Sequence, residues 1–318
     1  MSAVDNARQA AGAGKAPEGV ALLTSAGEAG DAMSWIELAF WNLQGRLVPR
    51  SLERARDYFG KAAELGHDDA TMIHLSLVAN GTGGPSDFET AVQLLRQASG
   101  IADADRQLEL LESMNFDGNG DPFDLPEPRK IIDTPEAWMF PRLFTAAECE
   151  YLVDAAAPAF HRAPVGHLAT GRQTVDQVRT CDVAVFPWVA ENPVVHALNR
   201  RIAKAADSPV EWGEPLQILR YRPGQEFKPH RDCTADRANQ RILTMLVYLN
   251  EDYTGGETLF LKTGQTVRGN TGDGLLFRNA SPDGTPDPDS LHAGLPVASG
   301  EKLLASRWIR QKPFGPRA

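Results

Sequence analysis

Cysteine is scarce. Cys149, Cys181 and Cys233 are the whole complement of a 318-residue chain, and their spacing matches no zinc ribbon or knuckle. So sparse and odd a set excludes a disulfide framework and fits reduced thiols in the cytoplasm. Long hydrophobic runs are missing too. No stretch approaches the ~20 apolar residues that span a bilayer, and the opening MSAVDNARQAAGAGKAPEG lacks the apolar core of a secretory leader. Positive charge is in deficit, with 32 Lys and Arg against 42 Asp and Glu, a formal net charge of −10. A phosphate backbone calls for clustered cations, so neither nucleic acid nor a membrane is an expected partner.

What is present is enough for two domains. With 42% hydrophobic residues the chain has ample material for buried cores, and 318 residues exceed one average domain. Residues 1–16 are rich in Ala and Gly without apolar periodicity and are expected to be disordered. Residues 17–114 turn helical and repeat themselves. A shift of 36 (66 minus 30) places Gly30 on Gly66, Gly45 on Gly81, Pro49 on Pro85, Ala55 on Ala91 and Ala62 on Ala98. Small residues at fixed points let paired helices approach closely, and a period in the thirties marks stacked helix pairs. The pattern resembles Sel1-like repeats, cousins of the tetratricopeptide repeat, which implies a concave face able to dock a peptide or protein. Residues 115–131 are acidic and rich in Gly and Pro, and read as a linker to a second domain over 132–318.

That second domain carries the strand signals. Leu216 to Arg222 alternates and stops at Pro223-Gly224, Arg241 to Leu249 is a long apolar run, and Asp273 to Phe277 and Leu303 to Ile309 read as further strands. Helices are expected at Phe144 to Ala157, with Thr145 and Glu148 as a capping box, and at Val195 to Ala206. Many short strands between Gly, Pro and Asn point to a jelly roll or barrel, and the whole chain to an α+β protein. His230-Arg231-Asp232 sits among these strands. Residues two apart on a strand face the same way, so the pair presents an imidazole beside a carboxylate. His292, from another strand, would complete a two-histidine, one-carboxylate triad, which leaves coordination positions open and suits non-haem Fe(II) oxygenases. Zinc accepts the same ligands, but hydrolytic zinc sites pair them with a helical glutamate base, as in H-E-x-x-H, and that motif is missing.

Taken in order, ILRYRPGQEFKPHRD, RILTMLVYLN, GGETLF, GDGLLF, DSLHAGLPVASGEK and RWI resemble the catalytic domain of the prolyl 4-hydroxylase family, over about residues 133–314. The resemblance implies a double-stranded β-helix and a dioxygenase using Fe(2+), 2-oxoglutarate and O2, with ascorbate as an accessory. The implied reaction hydroxylates an unactivated carbon, in a prolyl residue of a peptide or protein, and releases succinate and CO2. His230, Asp232 and His292 are the implied iron ligands, and Asp232 in that place favours hydroxylation over halogenation. Lys302, within Gly300-x-Lys302, is the implied partner of the distal carboxylate of 2-oxoglutarate, since a buried anion without a cation is costly.

Tyr221, Thr244 and Tyr248 are expected to add hydroxyl donors for that cosubstrate. By parity Lys302, Leu304, Ser306 and Trp308 share one strand face, taken as the interior. Arg179, Arg241 and Trp308 are the expected substrate residues. Arg179 opens an Arg-Thr-Cys where the family has Arg-Thr-Ser. Parity sets Arg241 opposite Thr244, so either a bulge intervenes or Arg241 acts from the rim. Arg307 stands where lysine is usual, a change expected to be neutral, and Gly255-Gly256-Glu257-Thr258 is read as structural. Loops 232–240 and 280–290 flank the ligands, the second as a lid or an irregular connection.

Two rivals keep the same residues in view. A dioxygenase for a free amino acid or small metabolite would share every iron and cosubstrate residue. A non-catalytic repeat adaptor would carry degraded ligands, whereas all three ligands and Lys302 are intact.

Overall fold

Helix caps recur at the spacing of the repeats. In the computed structural model, which describes residues 1–101, 103–162, 165–166, 173–174 and 178–315, contacts divide the chain into two units. One takes Met1–Gly120 and Trp188–Ala197, the other Asp121–Pro187 and Leu198–Gly315. The first unit holds α1 (Ala3–Gly12), α2 (Ala16–Glu28), α3 (Ala32–Gln44), α4 (Leu52–Glu64), α5 (Asp68–Asn80), α6 (Phe88–Gln97) and α7 (Ala104–Ser113). Asp31 and His67 cap the N-termini of α3 and α5, and Ser51 and Asp87 those of α4 and α6. Gly45 and Gly81 end α3 and α5 in the left-handed region, where a Cβ would strike Arg50 or Ser86. Each of these pairs is one repeat apart.

The expectation of disorder at the N-terminus does not hold. Ser2 and Asp5 form a reciprocal capping box that starts α1. The helix buries only Ala7 and Ala11, so its inward face has too little apolar weight to show as periodicity. Arg8 fixes it further, donating to both oxygens of Glu37 at 2.7 and 2.6 Å.

The second unit opens with β1 (Arg129–Asp133) and β2 (Glu136–Phe140), so strand begins inside the stretch read as linker. There follow α8 (Ala146–Ala156), β3 (His161–Arg162), β4 (Val165–Gly166), β5 (Gln173–Thr174), β6 (Asp182–Val185) and α9 (Pro193–Ala205), of which this unit takes Leu198 onward. Next come β7 (Gln217–Tyr221), β8 (Phe227–His230), β9 (Arg241–Tyr248), β10 (Thr254–Gly255), β11 (Thr258–Phe260) and β12 (Gln265–Val267). The chain closes with β13 (Gly274–Arg278), β14 (His292–Gly294), β15 (Val297–Ser299) and β16 (Lys302–Arg310).

An eight-stranded antiparallel sheet runs β1-β2-β13-β9-β16-β7-β6-β3, and a four-stranded one runs β12-β11-β14-β8. Leu219, Tyr221, Leu246, Leu275, Phe277 and Leu304 of the large sheet share one core with Phe260 and Val267 of the small sheet. The repeats are all helix and this unit is two facing sheets, so the chain is α+β, with a jelly-roll oxygenase unit. Pro229 lies in β8, an edge strand whose pairing with β14 slips between His292 and Gly294, and proline is tolerated at such an irregularity.

Arg307 departs from its expected neutrality. It is fully buried in β16 and donates to the carbonyls of Asn199, Val210 and Glu214 at 2.8, 2.9 and 3.1 Å. Room for it comes from Gly213, where a Cβ would stand 2.2 Å from the guanidinium carbon. A lysine ammonium could not reach three carbonyls arranged around a planar fork.

Candidate active site

Pairing of β14 with β8 sets His292 directly across from His230. Asp232 lies two residues past the end of β8 and is buried. Asp232 Oδ1 is 3.7 Å from His230 Nε2, and Oδ2 is 3.8 Å from His292 Nε2. One ligating atom from each of the three lies within 4.8 Å of the others. The tautomers follow from the backbone. His230 Nδ1 lies 2.8 Å from the carbonyl of Lys228, and His292 Nδ1 lies 2.9 Å from that of Ser290. A carbonyl only accepts, so both Nδ1 atoms carry the proton and both Nε2 lone pairs face the carboxylate. Burial, then the nearby His292, pushes the His230 pKa down to about 3, so that ring stays neutral. Burial opposes ionisation of Asp232, but the Thr244 hydroxyl and the Arg241 guanidinium favour its anion, and its pKa lies below the ordinary value. Two imidazole nitrogens and one carboxylate oxygen fit a divalent iron, and three ligands leave coordination sites for other groups.

The triad opens into a small cavity of about 40 Å³. Lys302, Leu304, Ser306 and Trp308 of β16 all line it, as parity requires, with Tyr221 and Thr258. Lys302 is 2% exposed, and its Nζ donates to the Gly256 carbonyl at 2.6 Å. The Tyr221 ring centre is 5.5 Å from that nitrogen. Burial lowers the Lys302 pKa to about 8, which leaves a mostly charged ammonium at neutral pH with capacity for an anion. Lys302 and the neighbouring hydroxyls could hold the distal carboxylate of 2-oxoglutarate. Burial also raises the Tyr221 phenol well above its usual range, so it remains a donor.

Two expected donors are spent elsewhere. Tyr248 is fully buried and does not line the cavity, because its hydroxyl donates to the Val267 carbonyl at 3.3 Å. The Thr244 hydroxyl donates to Asp232 Oδ2 at 2.6 Å and is therefore turned to the ligand carboxylate. Arg241 does not line the cavity either. The register of β9 against β16 slips between Ile309 and Arg310, a bulge that brings Arg241 round to Thr244's face. There it donates to both oxygens of Glu214 at 2.5 and 2.8 Å, and its guanidinium lies 3.5 Å from the centre of the Trp308 ring. It holds a wall in place from behind.

Arg179 does line the cavity. It is 6% exposed, donates to Cys181 Sγ at 3.3 Å through Nε, and leaves Nη2 without a partner among the described residues. The Trp308 indole N–H, also buried at the cavity wall, has no partner there either. Sequence reasoning missed Phe227, which stacks on His230 at 3.3 Å between ring centres, and Asn279, which donates to Thr244. It also took Thr258 as merely structural. The 280–290 loop is an irregular connection held by main-chain bonds. Asp287 N donates to the Asn279 carbonyl at 2.8 Å, and Arg231 Nη2 to that of Pro288 at 2.8 Å.

Comparison with known proteins agrees with this geometry. Residues 216–310 match the 2OG-Fe(II) oxygenase superfamily, and residues 36–67 and 72–99 match the Sel1 repeat. Prolyl 4-hydroxylase 1 of Arabidopsis thaliana is 35% identical over 254 residues, 73% of this chain and 86% of that protein. Probable prolyl 4-hydroxylase 10 of the same plant is 34% identical over 200 residues, covering 55% and 69%. The crystal structure of viral collagen prolyl hydroxylase from Paramecium Bursaria Chlorella virus-1, in its 2OG complex, is 29% identical. It covers 55% of this chain and 95% of its own, with a TM-score of 0.44. Nearly nine-tenths of a relative is thus spanned at better than one identity in three, and the chain belongs to the prolyl 4-hydroxylase family of 2-oxoglutarate-dependent iron dioxygenases.

Proposed function

We propose that this dioxygenase hydroxylates a prolyl residue within a peptide or protein. The observation that carries the reading is the convergence of His230, Asp232, His292 and Lys302 on one cavity, in a chain whose relatives are named prolyl 4-hydroxylases. Ferrous iron bound with 2-oxoglutarate supplies the oxidising power from O2, and the protein supplies binding, orientation and exclusion of water. The two Nε2 atoms and Asp232 hold the metal. Lys302, with Tyr221 and Thr258 beside it, receives the distal carboxylate, so the keto-acid end is directed to the triad. Arg179 and Trp308 then offer donors that have no partner among the described residues at the cavity wall, and these suit the carbonyl groups of a polypeptide.

The same reading extends to ascorbate as an accessory reductant, to a cytoplasmic setting and to the repeats as a docking face for the polypeptide. Three free cysteines support the second of these, and the matched Sel1 repeats support the third. It also keeps the division into a repeat domain, a linker and an oxygenase domain. The test is mass spectrometry of proline-containing peptides incubated with enzyme, Fe(II) and 2-oxoglutarate. Peptides gaining one oxygen on proline, and none with Asp232→Ala, are expected. Succinate formed with free proline or a metabolite, and with no peptide modified, overturns the polypeptide reading.

A further inference from the structure

The two oxygens of Asp232 are almost equally placed, one 3.7 Å from His230 Nε2 and the other 3.8 Å from His292 Nε2. Distance to the imidazoles therefore does not decide which oxygen takes a metal. Something else distinguishes them. Thr244, 1% exposed on β9, sits 2.6 Å from Oδ2 and makes no such approach to Oδ1. Behind it, Asn279 is fully buried one residue past β13, and its Nδ2 stands 2.7 Å from Thr244 Oγ1.

A hydroxyl has a single proton. While the Asn279 amide donates into the Thr244 oxygen, that proton is directed to the carboxylate. Turning the amide round would draw the proton to Asn279 and leave two acceptors facing each other at 2.6 Å, so the chain itself selects the orientation. Asn279 is in turn fixed through its backbone, whose N–H donates to the Ile242 carbonyl at 2.8 Å and whose carbonyl accepts from Asp287 N at 2.8 Å.

We propose that Thr244 and Asn279 form a positioning relay that commits Oδ2 of Asp232 to a hydrogen bond, leaving Oδ1 as the single oxygen that binds the metal. A carboxylate free to chelate through both oxygens would occupy a position that the cosubstrate or dioxygen needs. The relay keeps that position open and orients the ligand before metal arrives. It rests on the reading of the triad as the metal site, and it makes Thr244 a partner of the ligand rather than of 2-oxoglutarate.

The test uses the full chain stripped of metal and titrated with Co(II), followed by visible absorption, with the metal-free melting transition as a folding control. Thr244→Val is expected to weaken Co(II) binding by about 10–100-fold and to alter the cobalt spectrum. Thr244→Ser, which restores the hydroxyl, returns both to the wild-type values, and Asn279→Ala falls between. A Thr244→Val protein that binds Co(II) like wild type, but binds 2-oxoglutarate more weakly, overturns the relay in favour of a cosubstrate contact. If Thr244→Val does not fold, Asn279→Ala decides, and wild-type affinity in it overturns the relay. Failure of the wild type to bind Co(II) at all would instead overturn the metal site itself.

Discussion

Replacing Lys302 by methionine should make the metal-free protein more stable and the enzyme almost inert. Lys302 is 2% exposed, and burial takes its pKa from 10.5 to about 8. The difference of 2.5 units, at 1.36 kcal/mol each, means that holding the charge near neutral pH costs about 3 kcal/mol. Methionine removes that cost but leaves the Gly256 carbonyl without its donor, a loss of about 1 kcal/mol. The net expectation is a gain of about 2 kcal/mol in the unfolding free energy of the oxygenase unit, read by urea titration. The pH profile gives a second check. The folded pKa lies below the unfolded one, so between about 8 and 10.5 the unfolded chain binds the extra proton and wild-type stability climbs with pH. Below that window the profile is flat for this group, and in Lys302→Met the climb disappears. Meanwhile the distal carboxylate of 2-oxoglutarate loses its cation, and its KM should rise by about two to three orders of magnitude. A variant no more stable than wild type, beside a wild type with no climb above pH 8, refutes the desolvated-charge argument. An unchanged KM refutes the anchor.

Glu214→Ala strands the Arg241 and Arg310 guanidinia, whose side chains are 18% and 9% exposed. With screening at the more open one, urea unfolding should show a loss of about 2–4 kcal/mol, and peptide turnover should fall as Trp308 loses its backing. Gly213→Ala drives a methyl into the buried Arg307 fork and should cost about 3 kcal/mol in the same assay. Asp232→Ala should end succinate production while leaving the far-ultraviolet dichroism of the repeats unchanged. Chelation of the wild type should silence it reversibly, with activity returning on addition of Fe(II).

What could be read before the structure depended on how local each signal was. Strand parity alone gathers Lys302, Leu304, Ser306 and Trp308 on the cavity wall, because β16 is regular over that stretch. The triad was legible because two ligands are neighbours in the chain and the third is set opposite by a single strand pairing. Parity failed at Arg241, where the bulge adds a residue that no hydropathy pattern announces. Tyr248 keeps Thr244's parity along the strand, yet its ring ends at the Val267 carbonyl of β12, a partner that only the sheet-to-sheet packing supplies. Phe227 was unremarkable in sequence because its stack on His230, three residues on, depends on the register shift in the pairing of β8 with β14. At the N-terminus the signal existed in Ser2 and Asp5, but a buried face made of alanines muted it.

The extra residue in β9 has a consequence for how this wall tolerates change in length. Ile242 faces no residue of β16, and its carbonyl instead receives the amides of Asn279 and Ala280 at 2.8 and 3.3 Å. Everything upstream of it is thereby phased differently from everything downstream. Removing that one residue would leave Thr244 where it is but swing Arg241 to the far side of the sheet, stripping Trp308 of its stacked cation and Asn279 of its seat together. The tip of the 281–286 loop, by contrast, can grow at little entropic penalty. Insertions are absorbed at the tip, and the strand behind it admits neither a residue more nor a residue fewer.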